Sequence, residues 1–69
     1  MKQSYKKVYV VRDAATGIPL YEQEYMTLTQ AIKRYNKEVQ HCVDCFNVSK
    51  KDAQKWWDIF DTDRNEIVL

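Results

Sequence analysis

Between Thr27 and Phe46 the apolar residues recur at a spacing that only one regular backbone conformation can use. Leu28, Ala31, Ile32, Tyr35, Val39, Cys42, Val43 and Phe46 return every three or four positions to the same stripe. An α-helix keeps such residues on a single face, and no strand register reproduces the pattern. Lys33, Asn36, Lys37, Gln40 and Asp44 occupy the other face. Thr27 has the hydroxyl of an N-cap, and Gln30 stands at the capping-box spacing after it. Asn47, which tolerates a left-handed backbone, is the expected stop.

A helix of this size does not hold itself together. Burying its stripe returns less free energy than ordering about twenty residues costs, so the other segments must supply the second wall of a core. With 69 residues, 45% hydrophobic and 30% charged, residues 1–69 read as a single small α+β domain rather than a disordered chain. A domain of this length buries only about 60% of its unfolded surface. A second subunit is therefore a reasonable source of further burial.

Residues 5–12 are rich in β-branched and aromatic types and predict a strand. Asp13 to Gly17 has turn chemistry, with the chain's single glycine at the close. Leu20 to Met26 is the expected return strand, and Pro19 is permitted at its start. A four-residue loop, Ala14 to Gly17, pairs Asp13 with Ile18 and sets Lys7 opposite Glu24. It places Tyr5, Tyr9, Val11 and Leu20 on one face and Val8, Val10, Tyr21 and Tyr25 on the other. A five-residue loop would instead pair Lys6 with Glu24 and gather Tyr5, Tyr9, Tyr21 and Tyr25. The four-residue loop is preferred because it puts Gly17 last. After the long helix, Ser49 and Asp52 start a second one with the stripe Ala53, Trp56, Trp57 and Phe60. Asp61 to Asn65 is a turn, and Glu66 to Leu69 suits a short closing strand. The expected order is ββαα, an N-terminal β-hairpin and two amphipathic helices, with that third strand at the end.

Several functions are disfavoured by what the chain carries. There is one histidine, no glycine-rich phosphate loop and no Ser or Cys with an evident partner base, so no catalytic residues are assigned and an enzyme is not expected. No cofactor is implied. The His41-Cys42-Val43-Asp44-Cys45 run has metal-like spacing, but Zn²⁺ takes four ligands and no second Cys or His group accompanies it. The bland reading is a helix with one inward cysteine; a symmetric dimer sharing a metal through His41 and Cys45 is the sharper one. Phe60-Asp61-Thr62-Asp63-Arg64-Asn65 resembles the opening of an EF-hand calcium loop. Glu66 stands where that family has its glycine, and a helix-terminating acidic turn explains the same residues.

No apolar run reaches the roughly 18 residues a membrane span needs. The apolar run after the basic start, Val8 to Val11, is too short for a signal peptide. Two cysteines are too few for a secreted disulfide scaffold, and a cytoplasmic protein is expected. The single glycine and the wealth of tyrosine and lysine resemble prophage accessory proteins in style. Since Tyr5, Tyr9, Val11 and Leu20 make a second greasy hairpin face, the favoured function is a small interaction module. It would bind a protein partner or a second copy through that face, with Trp56 as an anchor. The alternative is a nucleic-acid-associated regulator using Lys2, Lys6, Lys7 and Arg12 with the interleaved tyrosines, although the net charge of +1 gives no overall basic footprint.

Overall fold

The computed structural model describes residues 6–20 and 25–69. Lys2, Tyr5, Tyr21, Glu22 and Glu24, and with them the pairing of Lys7 with Glu24, lie outside the described residues. In chain order the elements are β1 (Tyr9–Asp13), α1 (Leu28–Phe46), α2 (Lys50–Gln54), β2 (Trp57–Asp61) and β3 (Glu66–Ile67). The strands form one antiparallel sheet with β2 between β1 and β3. The class is α+β, as the sequence predicts. No helix among the described residues is long and apolar enough to cross a membrane.

The first turn forms as its residues dictate. Asp13 donates its N–H to the Ile18 carbonyl at 3.0 Å, and Gly17 donates to the Asp13 carbonyl at 2.7 Å. The loop is therefore the four-residue one, Ala14 to Gly17. The Asp13 carboxylate accepts from the Ala15 amide at 2.8 Å, and Gly17 takes a φ of +73°, a conformation that costs most other residues 1–2 kcal/mol, roughly. Beyond the loop, Arg12 bridges to Pro19 and Tyr9 to Met26. Three steps along β1 thus correspond to seven along the return, so the simple register, which still holds where the Leu20 amide donates to the Val11 carbonyl at 3.1 Å, ends before the second bridge. The return segment is longer than its partner by four residues.

In α1 both halves of the capping box are made. The Gln30 amide donates to Thr27 Oγ1 at 3.2 Å, and the Thr27 amide donates to Gln30 Oε1 at 3.0 Å. At the far end Asn47 adopts a φ of 55° and its N–H returns to the Val43 carbonyl. The second helix starts where expected, with Ser49 Oγ accepting from the Asp52 amide at 3.1 Å, but it ends at Gln54. Trp56, Trp57 and Phe60 are consequently not a helical stripe. Trp57 to Asp61 is a strand laid against β1, with Val11 opposite Ile59 and Arg12 opposite Asp58. The aromatic and β-branched content of Trp57-Asp58-Ile59-Phe60 favours extended backbone, and Asp58 finds its partner in Arg12 on β1.

The stretch resembling a calcium loop is a hairpin turn between β2 and β3. Asp61 Oδ1 accepts from the amides of Asp63 and Arg64 at 2.9 and 3.1 Å. The Asn65 amide donates to the Asp61 carbonyl at 2.7 Å, and Asn65 has a φ of 61°. The carboxylate is occupied by its own loop. This turn repeats the first: Asp before four loop residues, the last of them left-handed, with that residue's amide bonded to the aspartate carbonyl. It ends a strand, not a helix.

The core lies between α1 and one face of the sheet. Val11, Ala31, Tyr35, Val39, Cys42, Ala53 and Ile59 are buried, and Tyr9, Leu20, Met26, Leu28, Val43, Val48 and Trp57 pack against them. Not all of the predicted stripe goes inside: Ile32 and Phe46 are exposed. A helix of 19 residues is about 28 Å long at 1.5 Å per residue, whereas a five-residue strand covers about 17 Å. The helix is longer than the strands it covers, and Phe46 is its last residue.

Candidate interaction surface

Tyr9, Val11 and Leu20 share a face, as the register argument predicts, but it is the inner face. Val11 is 0% exposed, and Tyr9 and Leu20 are half-buried against the α1 core. This corrects the expected docking site. A hairpin considered alone has two candidate inner faces. The arrival of β2 decides between them, because it places Ile59 beside Val11 on one side and Asp58 beside Arg12 on the other. The side with the ion pair is the one α1 leaves alone.

The basic set is dispersed in the same way. Arg12 donates from Nε and Nη2 to the two oxygens of Asp58, at 2.9 and 3.1 Å, and its guanidinium lies 4.0 Å from the centre of the Phe60 ring. Both partners are largely shielded, with side-chain exposures of 16% and 8%. Arg12 is thereby engaged within the fold. Lys6 reaches Asp63 at 3.4 Å across exposed surface and lines a cleft of about 280 Å³ that also holds Asp61. Carboxylates beside Lys6 oppose a phosphate there. Lys7 is exposed.

Trp56 remains where a partner can reach it. The chain leaves α2 through Lys55 and Trp56, whose amides donate to the carbonyls of Asp52 and Ala53 at 3.1 Å each. The Trp56 carbonyl accepts from the Ala14 amide at 2.9 Å, which fastens the first hairpin loop beside the indole. From the C-terminal end of α1, Phe46 meets that indole edge to face, with ring centres 5.8 Å apart. Phe46 is 62% exposed and Trp56 41%. Trp57 turns inward, and its Nε1–H donates to Cys42 Sγ at 3.3 Å.

One shallow groove reaches Trp56, and a second lies next to it. One, of about 410 Å³, is lined by Asp13, Ala14, Ala15, Lys55, Trp56 and Trp57. The other, of about 370 Å³, is lined by Asp13, Thr16, Ile18, Pro19, Leu20 and Trp57. They share Asp13 and Trp57, so together they run along one end of the sheet. The Asp13 carboxylate is held by its loop amides, and Lys55 is the cation among the lining residues of the first groove. Sequence reasoning found Trp56 but missed Phe46, whose helical period marks it as core. The discriminating signal was position: Phe46 is the last helical residue before the Asn47 stop.

His41 and Cys45 are exposed one turn apart on α1, while Cys42 is buried. Among the described residues, no group of three or more His, Cys, Asp or Glu side chains is gathered for a metal ion. Compared with protein-family models, with curated proteins and with solved structures, the chain matches none.

Proposed function

We propose that this protein is a small, non-enzymatic cytosolic interaction module that binds a protein partner at the Phe46–Trp56 corner. The observation that carries the reading is that pair: two large aromatic side chains in mutual contact and both exposed, beside a groove lined by Trp57. Adjacent exposed aromatics are costly to leave in water and are the usual anchors of binding surfaces. The partner segment suited to the groove brings an apolar side chain to the Trp56–Trp57 wall and an acidic residue to Lys55.

Site-specific photo-crosslinking in cells tests this. A crosslinker placed at Phe46 is expected to trap a discrete partner that is not trapped from Lys33 on the exposed side of α1, and the Trp56→Ala change is expected to abolish the adduct. Identical adducts from both positions would refute the reading. Sedimentation in chelator at low and high salt identifies the kind of partner. Salt-insensitive self-association makes it a second copy. Binding to nucleic acid that falls steeply with salt supports the alternative regulator role.

A further inference from the structure

The chain between Phe46 and Trp56 carries an excess of positive charge. Lys50 to Lys55 holds three lysines and one acid, Asp52, and all four side chains are exposed. Lys6, Arg12, Arg34 and Arg64 each reach a carboxylate, but among the described residues Lys50, Lys51 and Lys55 form no ion pair. Lys51 and Lys55 are four positions apart on helical backbone, since Lys55 caps α2 at a φ of −76° and a ψ of −13°. They therefore stand one turn apart on the side opposite Ala53, which turns into the core. Like charges at this spacing repel, and an anion that meets both relieves them. Lys55 also lines the groove of about 410 Å³ whose apolar walls include Trp56, Trp57, Ala14 and Ala15. We propose that the occupant of this corner is an acidic polypeptide segment, with one bulky apolar side chain against the two indoles and carboxylates on either side of it that meet Lys51 and Lys55.

This selectivity rests on the corner being the protein-binding site proposed above, and Lys51 and Lys55 are the residues that choose the partner. A single nucleic-acid strand also uses exposed aromatics and lysines. Its phosphates recur at every nucleotide, however, and would meet Asp13 in the groove and Asp52 beside Lys51. A peptide carries its carboxylates only where the lysines stand. Complementary charge around an apolar anchor speeds encounter and rejects like-charged partners more than it tightens the complex. The indoles therefore supply the affinity and the lysines the discrimination.

The test selects random short peptides, displayed as a library, against the full chain. Enriched sequences are expected to share a leucine or an aromatic residue with at least two acids close by. A labelled synthetic peptide of that consensus, and a counterpart with lysines in place of the acids, are then titrated by fluorescence anisotropy. Lys51→Glu combined with Lys55→Glu is expected to weaken the acidic peptide about tenfold, at roughly two- to fivefold for each exposed pair, and to strengthen the lysine-bearing one. Lys33→Glu is expected to change neither, and added salt to weaken the acidic peptide. Circular dichroism is expected to stay constant, since the three substituted lysines are exposed. Enriched peptides that need Trp56 but carry no excess of acids would overturn the charge selection and leave the corner standing as a binding site. No enrichment, or peptides indifferent to Trp56→Ala, would overturn both. A double reversal that leaves the two affinities unchanged, or a single-stranded oligothymidylate that binds more tightly than the consensus peptide, would overturn the acidic occupant.

Discussion

Arg12 grips both oxygens of Asp58, a residue 46 positions further along the chain, through parallel hydrogen bonds of 2.9 and 3.1 Å. The pair lies on the sheet face away from α1, and the Phe60 ring lies against the guanidinium. The planar fork of arginine suits this geometry in a way that a lysine ammonium does not. Breaking a shielded pair by removing one partner leaves an uncompensated charge, at a cost of roughly 3–5 kcal/mol. Arg12→Ala is therefore expected to shift the urea midpoint far down, and Arg12→Lys to recover only part of it. Arg12→Met with Asp58→Leu is expected to lose much less than either single change. A double-mutant cycle by urea unfolding measures the coupling.

The two hairpin loops predict an exchange of residues. Gly17 and Asn65 hold equivalent left-handed positions, each with its amide bonded to the carbonyl of the preceding strand's final aspartate. Asparagine tolerates that conformation better than other non-glycine residues. Gly17→Asn is expected to cost less than about 1 kcal/mol, and Asn65→Gly to be neutral or slightly stabilising. Gly17→Val is expected to cost about 2 kcal/mol, because a β-branched residue resists positive φ. Thermal unfolding of the three variants gives the ranking.

Tyr35 sets a limit at alkaline pH. Burial, reinforced by the nearby negative charge of Asp58, raises its pKa above the ordinary value of 10.0, and its hydroxyl donates to the Gln54 carbonyl at 3.2 Å. The folded state holds this proton after the unfolded state has begun to release it. Stability from this group is therefore complete below about pH 10 and declines as pH climbs from the unfolded value through the higher folded one. Tyr35→Phe is expected to lower stability at neutral pH by about 1 kcal/mol, the worth of the lost hydrogen bond. Its decline above pH 10 is expected to be shallower than that of the wild type, as read by denaturant titration at several alkaline pH values.

The neighbouring tryptophans report different surroundings. With Trp57→Phe, the remaining indole is expected to emit at long wavelength and to be readily quenched by acrylamide. With Trp56→Phe, emission from the half-buried Trp57 is expected at shorter wavelength with weaker quenching. Cys42→Ala in that second background removes a sulfur acceptor at 3.3 Å, and a change in indole emission checks that contact.

The parts of the fold that were legible in the sequence are those decided within a few residues. Thr27 and Gln30 announce the start of α1, Asn47 its stop and Gly17 the first loop, because each interaction closes over three to five positions. The strand β2 was not legible for the opposite reason. Ala53, Trp56, Trp57 and Phe60 imitate a helical period, and Asp58 and Asp61 resemble a solvent face. Both acids are in fact buried. Asp58 owes this to Arg12, which no local window contains, and Asp61 owes it to a turn whose left-handed residue is Asn65 rather than glycine. The candidate surface follows the same division. Trp56 stood out by residue type, whereas the loss of Tyr9, Val11 and Leu20 to the core depended on which hairpin face β2 extended.

The antiparallel seam of Tyr9–Asp13 with Trp57–Asp61 joins the opening of the described chain almost to its close. During synthesis, α1 leaves the ribosome with its greasy side uncovered by the widened sheet, since Val11 lacks Ile59 until β2 has emerged. Such distant pairing slows folding and prolongs the interval in which nascent chains can stick to one another. A version cut before Trp57 would retain every local signal in α1 and still leave β1 without the strand that places Ile59 beside Val11.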